Sequence, residues 1–316
     1  MLSRTAANLY WMGRYMERAE NLARIIEVGY RMNQMPTMTS GGVRTEWQSS
    51  AIAAACSDGL IEKHGEANLD TVIAYIALDA DNPSSIHACL KTARTNARAV
   101  RTALTGEMWE CLNDTWLEFN GHWVKALKRD NLSSFLDWVK TRSTLFRGAM
   151  KGTMLRDEAF SFVNLGAFIE RADNTARILD VKFHILLPEG EHVGGPVDYY
   201  QWAMVLRSVS ALGSYHWLYR DEIKPWQVAE LLTLRKEMPR SLVYSVGQVE
   251  RFLNDIADAH GRRYDCQRLA GKLHSELGFS KTEDVFQGGL HEYLSGFLAR
   301  NNALGAAIAE NFLFYL

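Results

Sequence analysis

The sequence predicts an all-α fold, a multi-helix bundle with an internal duplication of one long motif-bearing helix. Three observations support this prediction. Apolar residues recur at steps of three and four along most of the chain, only six prolines occur in 316 residues, and no segment alternates strictly as a half-buried strand does. We therefore expect one helical domain over residues 1–316, with two approximate halves at about 1–152 and 153–316.

The first half is predicted to contain helices at 3–33, 45–56, 69–78, 83–104, 107–127 and 132–150. The first helix ends before a loop-like stretch at 34–42. Asn68 is a favourable N-cap for the third helix, and Pro83 is tolerated in the first turn of the fourth. Tryptophan and leucine at helical spacing predict the last two helices of this half.

The second half is predicted to contain helices at 158–187, 197–219, 227–234, 241–259, 262–277 and 281–314. The first of these ends before the Gly- and Pro-containing stretch 188–196, which is the most linker-like part of the chain. Most other connections are short, so neighbouring helices should be antiparallel.

One segment occurs twice. Residues 13–28, GRYMERAENLARIIEV, align without a gap with residues 166–181, GAFIERADNTARILDV, at a shift of 153 positions and with nine identities in sixteen. Charged residues are kept as well as apolar ones, which is unusual for two helices that merely share a core. This single repeat does not predict a solenoid, since no other motif repeats at a fixed period.

Each copy combines an apolar seam with a polar ladder. The seams advance in steps of three and four and comprise Leu9, Met12, Met16, Ala19, Ala23, Ile26 and Tyr30, and Phe162, Leu165, Ile169, Ala172, Ala176, Leu179 and Phe183. The ladders comprise Glu17, Asn21 and Arg24, and Glu170, Asn174 and Arg177. Glu20–Arg24 and Asp173–Arg177 have the favourable acid-before-base order at a spacing of four.

Two interpretations of the ladders stay open. They can be a solvated or interhelical salt-bridge face, which is common in helical proteins. Alternatively they form a buried polar network, which would explain the Asn residues that both copies place between Glu and Arg. In that case we expect the copies to pair across a pseudo-twofold axis, Glu of one with Arg of the other, and to serve as a fold lock or as a ligand cleft.

A second basic cluster follows in the fourth predicted helix. Arg94, Arg98 and Arg101 are spaced by four and three, so they would share one face without an acid between them. Such a row can bind a phosphate or carboxylate, or an acidic partner surface. A solvated face is the equally weighted alternative.

Composition and motifs exclude several classes of function. The net charge of −2 provides no global field for nucleic acid or an anionic membrane. The four scattered cysteines and the lack of a signal-peptide pattern predict a cytoplasmic protein. There is no phosphate-binding G-x-x-x-x-G-K-[ST] motif, and Glu-x-x-His occurs only at Glu189 and His192 in a loop-like stretch, so we expect neither a nucleotide nor a metal site in this chain.

Three blocks resemble the bacterial alpha-E family: LSRTAANLYWMGRYMERAENLARI at the start, ARTNARAVRTALTGEMWECLN in the middle, and PRSL at 239–242. The resemblance extends over essentially the whole chain. Members of that family are found fused to, or encoded beside, a circularly permuted ATP-grasp ligase, often with a transglutaminase-like protein and sometimes with a proteasome-like peptidase. Among the motif positions, Arg14 has no counterpart in the second copy, where Ala167 stands, so two sites would not be equivalent.

The resemblance implies a non-catalytic or co-catalytic partner of an ATP-grasp peptide or amide ligase, with ATP and Mg bound by the ligase. We expect the two ladders and the Arg94 to Arg101 row to form a polar groove that binds a substrate or the partner. A stand-alone small-molecule or metal-dependent enzyme and a purely structural interaction module are the alternatives, and a homo-oligomer stays open. Glu17 and Glu170 are the candidate proton acceptors. The candidate substrate- or partner-binding residues are Arg14, Arg18, Asn21, Arg24, Arg94, Arg98, Arg101, Arg171, Asn174 and Arg177.

Overall fold

The fold is known from a computed structural model, which describes residues 1–34, 46–184, 194–312 and 314. These residues form helices and turns, and none of them lies in a β-strand. The predicted all-α class is therefore confirmed. The predicted loop stretches 34–42 and 188–196, and the predicted helical residues 185–187, fall mostly or wholly outside the described residues.

The helices of the first half are α1 (Ser3–Asn33), α2 (Glu46–Ala53), α3 (Ser57–His64), α4 (Leu69–Val72), α5 (Ile86–Ala99), α6 (Gly106–Glu118), α7 (Val124–Ala126) and α8 (Leu132–Thr153). Two π-helical segments, Ile73–Leu78 and Phe119–Trp123, extend α4 and α6. Two short 3₁₀ turns, Arg101–Ala103 and Arg129–Asn131, lie in the connections.

The helices of the second half are α9 (Glu158–His184), α10 (Pro196–Ser208), α11 (Leu212–Tyr219), α12 (Pro225–Thr233), α13 (Leu242–His260), α14 (Asp265–Phe279), α15 (Thr282–Gln287) and α16 (Leu290–Asn311).

The two repeat-bearing helices, α1 and α9, pack directly against each other at the centre of the molecule. Glycine makes this close approach possible. A Cβ atom on Gly13 would lie 2.1 Å from the carbonyl oxygen of Val163, and one on Gly166 would lie 2.0 Å from that of Tyr10. These contacts are reciprocal, because Val163 and Gly166 follow Tyr10 and Gly13 by the same 153 positions. The pair is thus arranged about a pseudo-twofold axis.

The surrounding helices repeat this arrangement. In the first half α1 packs against α2, α5 and α8, and α6 packs on α5 and α8; in the second half α9 contacts α10, α13 and α16, and α14 covers α13 and α16. The hydroxyl of Ser143 in α8 donates to the carbonyl of Met16 at 2.8 Å, and the amide of Asn301 in α16 donates to the corresponding carbonyl of Ile169 at 3.1 Å. The packing is repeated, while an origin by duplication stays a prediction.

The predicted seams lie in the core. Their members are buried except for the C-terminal ones, Tyr30, which is half-buried, and Phe183, which is exposed and stacks on His291. A single hydrophobic cluster takes residues from both halves. Because α1 and α9 are enclosed by neighbours on nearly every side, their polar ladders are buried with the seams, except for the half-buried Arg177.

Three of the predicted helices end or break before the predicted C-terminal residue. Left-handed backbone at Ala55 (φ 53°), Ser210 (φ 58°) and Gly289 (φ 97°) ends or interrupts the helices predicted at 45–56, 197–219 and 281–314. Since an α-helix needs negative φ at every residue, each position forces a break that apolar periodicity alone does not reveal.

The helix predicted at 83–104 begins later and ends earlier. The Ser85 hydroxyl accepts a hydrogen bond from the Ala88 amide at 3.0 Å, and this cap fixes the start of α5 at Ile86.

Over the described residues, no helix is both long and apolar enough to cross a bilayer.

Candidate functional site

Two reciprocal ion pairs join α1 and α9 across the pseudo-twofold axis. Arg171 donates to both carboxylate oxygens of Glu17, each at 2.8 Å. Arg18 donates to both oxygens of Glu170, at 2.5 and 2.9 Å. Each pair is bidentate, the geometry that best satisfies a carboxylate and a guanidinium together. The expected pairing of Glu with Arg across the axis is thus present, through Arg18 and Arg171 rather than through Arg24 and Arg177.

Around Glu17 lies a larger group that we call the first cluster, consisting of Glu17, Glu20, Arg24, Arg147, Arg171 and Arg240. Glu20 is fully buried and is bound by three guanidinium groups, from Arg24 at 2.7 Å, Arg240 at 2.5 Å and Arg147. Arg24 also donates to the carbonyl of Ser208 at 2.5 Å. These contacts attach α8, the turn before α13 and the end of α10 to α1.

Burial and pairing act in opposite directions on these groups. Burial by itself raises the pKa of Glu17, but the adjacent Arg171 outweighs it and holds the pKa below its ordinary value. For Glu20, burial is likewise outweighed, by Arg240, Arg147 and Arg24, and the pKa is lowered. Burial lowers the pKa of Arg240 to about 10. Both carboxylates are therefore held as anions.

The second cluster surrounds Glu170 and consists of Glu170, Asp173, Arg14, Arg18 and Arg177. Arg14 donates to Glu170 at 2.9 Å, beside the bidentate Arg18. Burial by itself raises the pKa of Glu170, but Arg18 and Arg14 outweigh this effect and lower the pKa to about 2. Among the described residues, Asp173 forms its ion pair with Arg177, at 2.6 Å. The predicted Glu20–Arg24 and Asp173–Arg177 pairs are both present.

A cavity of 120 Å³ adjoins the second cluster, and we call it the second-cluster cavity. Its polar lining comes from both repeat helices and from the turn before α5: Arg18, Asn21, Ser84, Glu170, Asp173, Asn174 and Arg177. Asn21 and Asn174, the central members of the two ladders, are 3% and 4% exposed. Neither the oxygen nor the nitrogen of the Asn21 amide, nor the nitrogen of Asn174, has a hydrogen-bond partner among the described residues.

The row of Arg94, Arg98 and Arg101 lies elsewhere. Arg94 donates to Asn113 of α6 at 3.0 Å, and the guanidinium groups of Arg94 and Arg101 lie over the Trp109 ring. Arg101 is in the 3₁₀ turn after α5, so the three residues do not share one continuous helix face. The second-cluster cavity is lined by none of them. The structure does not bring the row and the ladders into one groove.

The first cluster contains two arginines that were not predicted from the sequence, Arg147 and Arg240. No motif or spacing in the sequence around Arg147 indicates that it belongs to the cluster. For Arg240 a signal exists: PRSL at 239–242 corresponds to PSSI at 83–86, and both precede the helix that packs on a repeat helix. Ser241 caps α13 as Ser85 caps α5, so Arg240 occupies the position equivalent to Ser84.

The arrangement limits the possible chemistry. Glu17 is 2% exposed and Glu170 is 5% exposed, and each is bound by at least two guanidinium groups, so neither is well suited to accept a proton near neutral pH. No group of three or more His, Cys, Asp or Glu side chains in the described part of the chain is placed to hold a metal ion.

Fold and site together define an all-α protein with a paired Glu/Arg network at the contact between two central helices. Comparison with known families places the chain in the Alpha-E family, described as a predicted alpha-helical domain with a conserved ER motif, and the match extends over residues 1–313. Both reciprocal pairs here are built from adjacent Glu and Arg residues, the two types that this description names.

The chain is also similar to uncharacterized proteins of two mycobacteria. It is 24% identical to one from Mycobacterium bovis and 23% identical to one from Mycobacterium tuberculosis, in each case over 332 residues that include 97% of this chain and 36% of the relative. The chain thus spans about a third of the length of these relatives. No solved structure matches it.

Proposed function

We propose that this chain is a non-catalytic or co-catalytic helical partner of an ATP-grasp peptide or amide ligase. The observation that carries the proposal is that both candidate catalytic carboxylates, Glu17 and Glu170, are occupied in buried ion pairs. Their contacts hold helices together, so ATP-dependent chemistry would come from another polypeptide. The resemblance to the Alpha-E family, whose members are found fused to or encoded beside such ligases, supports an ATP-grasp ligase as that polypeptide, and the two would act in the cytoplasm where ATP is available.

The mycobacterial relatives support a role alongside a second polypeptide. In each of them the region similar to this chain makes up 36% of a longer protein. A region that makes up a third of a longer chain is expected to act together with the rest of that chain, so these relatives are consistent with a partner for this region.

An exposed apolar cleft between α11 and α12 provides a surface for such a partner. The cleft measures 620 Å³, and its lining includes Trp217, Leu218, Leu231 and Met238. Trp217 is 77% exposed. A large aromatic side chain exposed at the rim of an apolar cleft is typical of a residue that dominates binding energy in an interface.

The test uses a purified ATP-grasp protein of the kind that the resemblance predicts as the partner. We expect the two purified proteins to associate, and ADP release by the ligase to increase when this chain is added. Trp217→Ala should weaken the association by about tenfold or more, as expected for a central aromatic contact. Isothermal titration calorimetry and a coupled ADP assay give the two readouts.

Phe279→Ala is the matched control, because Phe279 is 87% exposed and lies on α14, outside the Trp217 cleft. This variant should bind as the unmodified chain does. Variants of Glu17 or Arg24 are unsuitable here, since both residues are buried and their loss would alter folding itself. An ADP release rate that is independent of this chain, with no association, would reject the proposal.

A purely structural interaction module is the second candidate. The observation that favours it is the first cluster, in which the buried carboxylates are bound by arginines of the same chain and the cavity beside Glu17 and Arg171 measures only about 20 Å³. Association with the ligase that leaves ADP release unchanged would favour this candidate.

A further inference from the structure

The two clusters are built from equivalent positions, yet one is filled and the other is open. In the first cluster Glu17, Glu20 and Arg24 face the end of α10, where Arg24 binds Ser208 and Ser210. In the second, Glu170, Asp173 and Arg177 face the end of α2, where Ala53, Ala54 and Ala55 line the cavity. Ser210 and Ala55 share left-handed backbone, with φ of 58° and 53°. Left-handed residues after equivalent helices thus lie beside both clusters.

Arg240 is the residue that fills the first place. Its guanidinium group lies 2.5 Å from Glu20 and 3.5 Å from Glu17. The equivalent residue in the first half is Ser84, which lines the second-cluster cavity and is too short to reach Asp173 or Glu170 with a charged group. The cavity is therefore lined by the residue that stands at the position of Arg240 in the other half.

The first cluster contains one more guanidinium group than the second. Four guanidinium groups face two carboxylates in the first cluster, and three face two carboxylates in the second. Glu20 has three guanidinium partners, whereas its equivalent Asp173 has one. A bound monocation would give the second cluster the same charge balance that the first cluster already sustains.

The amides of Asn21 and Asn174 point to an occupant as well. An amide group that is buried without a hydrogen-bond partner destabilises the fold. The Asn21 oxygen can accept a hydrogen bond from a cation in the cavity. The two amide nitrogens can donate to water beside it, since the cavity is polar and larger than one water molecule.

We propose that the second-cluster cavity binds the guanidinium group of a ligand, which takes the place that Arg240 holds in the first cluster. Asp173, Glu170 and the Asn21 oxygen would accept its N–H donors, as Glu20 and Glu17 accept those of Arg240. The ligand is a small guanidino compound or an arginine side chain presented by a polypeptide. All the residues that would bind this ligand belong to this chain, so binding does not require a ligase partner.

The experiment titrates the full chain with ethylguanidinium chloride and records ¹H–¹⁵N spectra, in which the side-chain amides of Asn21 and Asn174 report on the cavity. We expect saturable shifts of both amide signals. Sodium propionate, of similar size and opposite charge, should leave them unchanged. A tripeptide, acetyl-Gly-Arg-Gly-amide, distinguishes the sources: tighter binding than ethylguanidinium indicates a polypeptide arginine, and weaker or no binding indicates a small free ligand.

Ser84→Arg places a guanidinium group at the position equivalent to Arg240, so this variant should lose the ethylguanidinium response. Ser134→Arg, at an exposed position on α8, adds the same charge away from the cavity and should retain it. Circular dichroism and the thermal midpoint establish that both variants are folded. Absence of saturable binding, an equal response in Ser84→Arg, or saturable binding of propionate in place of the cation would overturn the proposal.

Discussion

Arg240 shows what one buried charge contributes to this molecule. It is fully enclosed and binds Glu20 at 2.5 Å, together with Arg24 and Arg147. Arg240→Ala removes one of three partners of a buried carboxylate, so we expect the free energy of unfolding to fall by roughly 3 kcal/mol. Urea denaturation measures the change.

Arg251→Ala is the control for this variant. Arg251 lies on α13, the helix that follows Arg240, and its ion pair with Asp255 spans 4.0 Å between exposed side chains. Its loss should hardly move the urea midpoint, since exposed pairs contribute little. Equal midpoint shifts for the two variants would show that the Arg240 contacts do not stabilise the fold.

The lowered pKa of Glu170 makes the stability dependent on pH. Arg18 and Arg14 lower this pKa to about 2 from an ordinary value of 4.5. A carboxylate with a lowered native pKa stabilises the fold fully above its unfolded pKa, and this contribution is lost as the pH falls through the native pKa. The free energy of unfolding should therefore decrease as the pH is lowered from about 4.5 towards 2.

The contribution of Glu170 is separated from that of other acids by Glu170→Gln, which cannot titrate. Urea midpoints measured at several pH values should give a shallower decline for this variant than for the unmodified chain. Parallel curves for the two proteins would mean that the Glu170 pairing is not part of the acid sensitivity.

At the scale of helices, the contact between α1 and α9 depends on two glycines. A Cβ at Gly13 or Gly166 would lie 2.1 or 2.0 Å from backbone carbonyl oxygens, which cannot move aside as a side chain does. Gly13→Ala and Gly166→Ala should each lower the free energy of unfolding by about 1–3 kcal/mol or more, as overpacking does. Thermal and urea unfolding both measure this change.

Gly148→Ala is the control at this scale. Gly148 lies on the exposed side of α8, and a Cβ there meets no atom within 4 Å. Because alanine favours a helix over glycine, this variant should gain roughly 0.5–1 kcal/mol. If all three substitutions changed stability in the same direction and by the same amount, close helix contact would not explain the two central glycines.

The periodic features of these helices could be predicted from sequence because they are local. The seams, the Glu20–Arg24 and Asp173–Arg177 pairs and the helix-rich pattern all follow from spacing within one element. Left-handed positions such as Ser210 could not be predicted, since serine carries no preference for that conformation and the break depends on tertiary contacts.

The partners of Glu17 show the other limit. Arg147 and Arg171 are more than a hundred residues away along the chain, and helical spacing indicates which residues share a face without indicating what covers that face. The sequence therefore identified the network residues on the two repeat helices and assigned the axis pairing to the right residue types, but it did not identify Arg147 or Arg240. It could not decide between a solvated face and a buried lock.

At the scale of the whole molecule, the reciprocal pairs Glu17–Arg171 and Glu170–Arg18 hold the two halves together across the pseudo-twofold axis. Arg14 and Ala167, and likewise Arg240 and Ser84, show where the halves differ. A shared axis with unequal surroundings allows one cluster to stabilise the fold while the other keeps an open cavity. In this account the repeat motif provides the lock, and residues outside the motif decide which cluster stays open.

The most direct test is a double-mutant cycle on Glu17 and Arg171, using Glu17→Gln, Arg171→Gln and the double variant, with urea unfolding as the readout. The bidentate buried pair should give a coupling free energy of about 2 kcal/mol. The same cycle on the exposed pair of Asp70 and Arg129, whose Nε–Oδ1 distance is 2.6 Å, should give a clearly smaller coupling. Coupling between Glu17 and Arg171 no larger than that of the exposed pair would contradict the account.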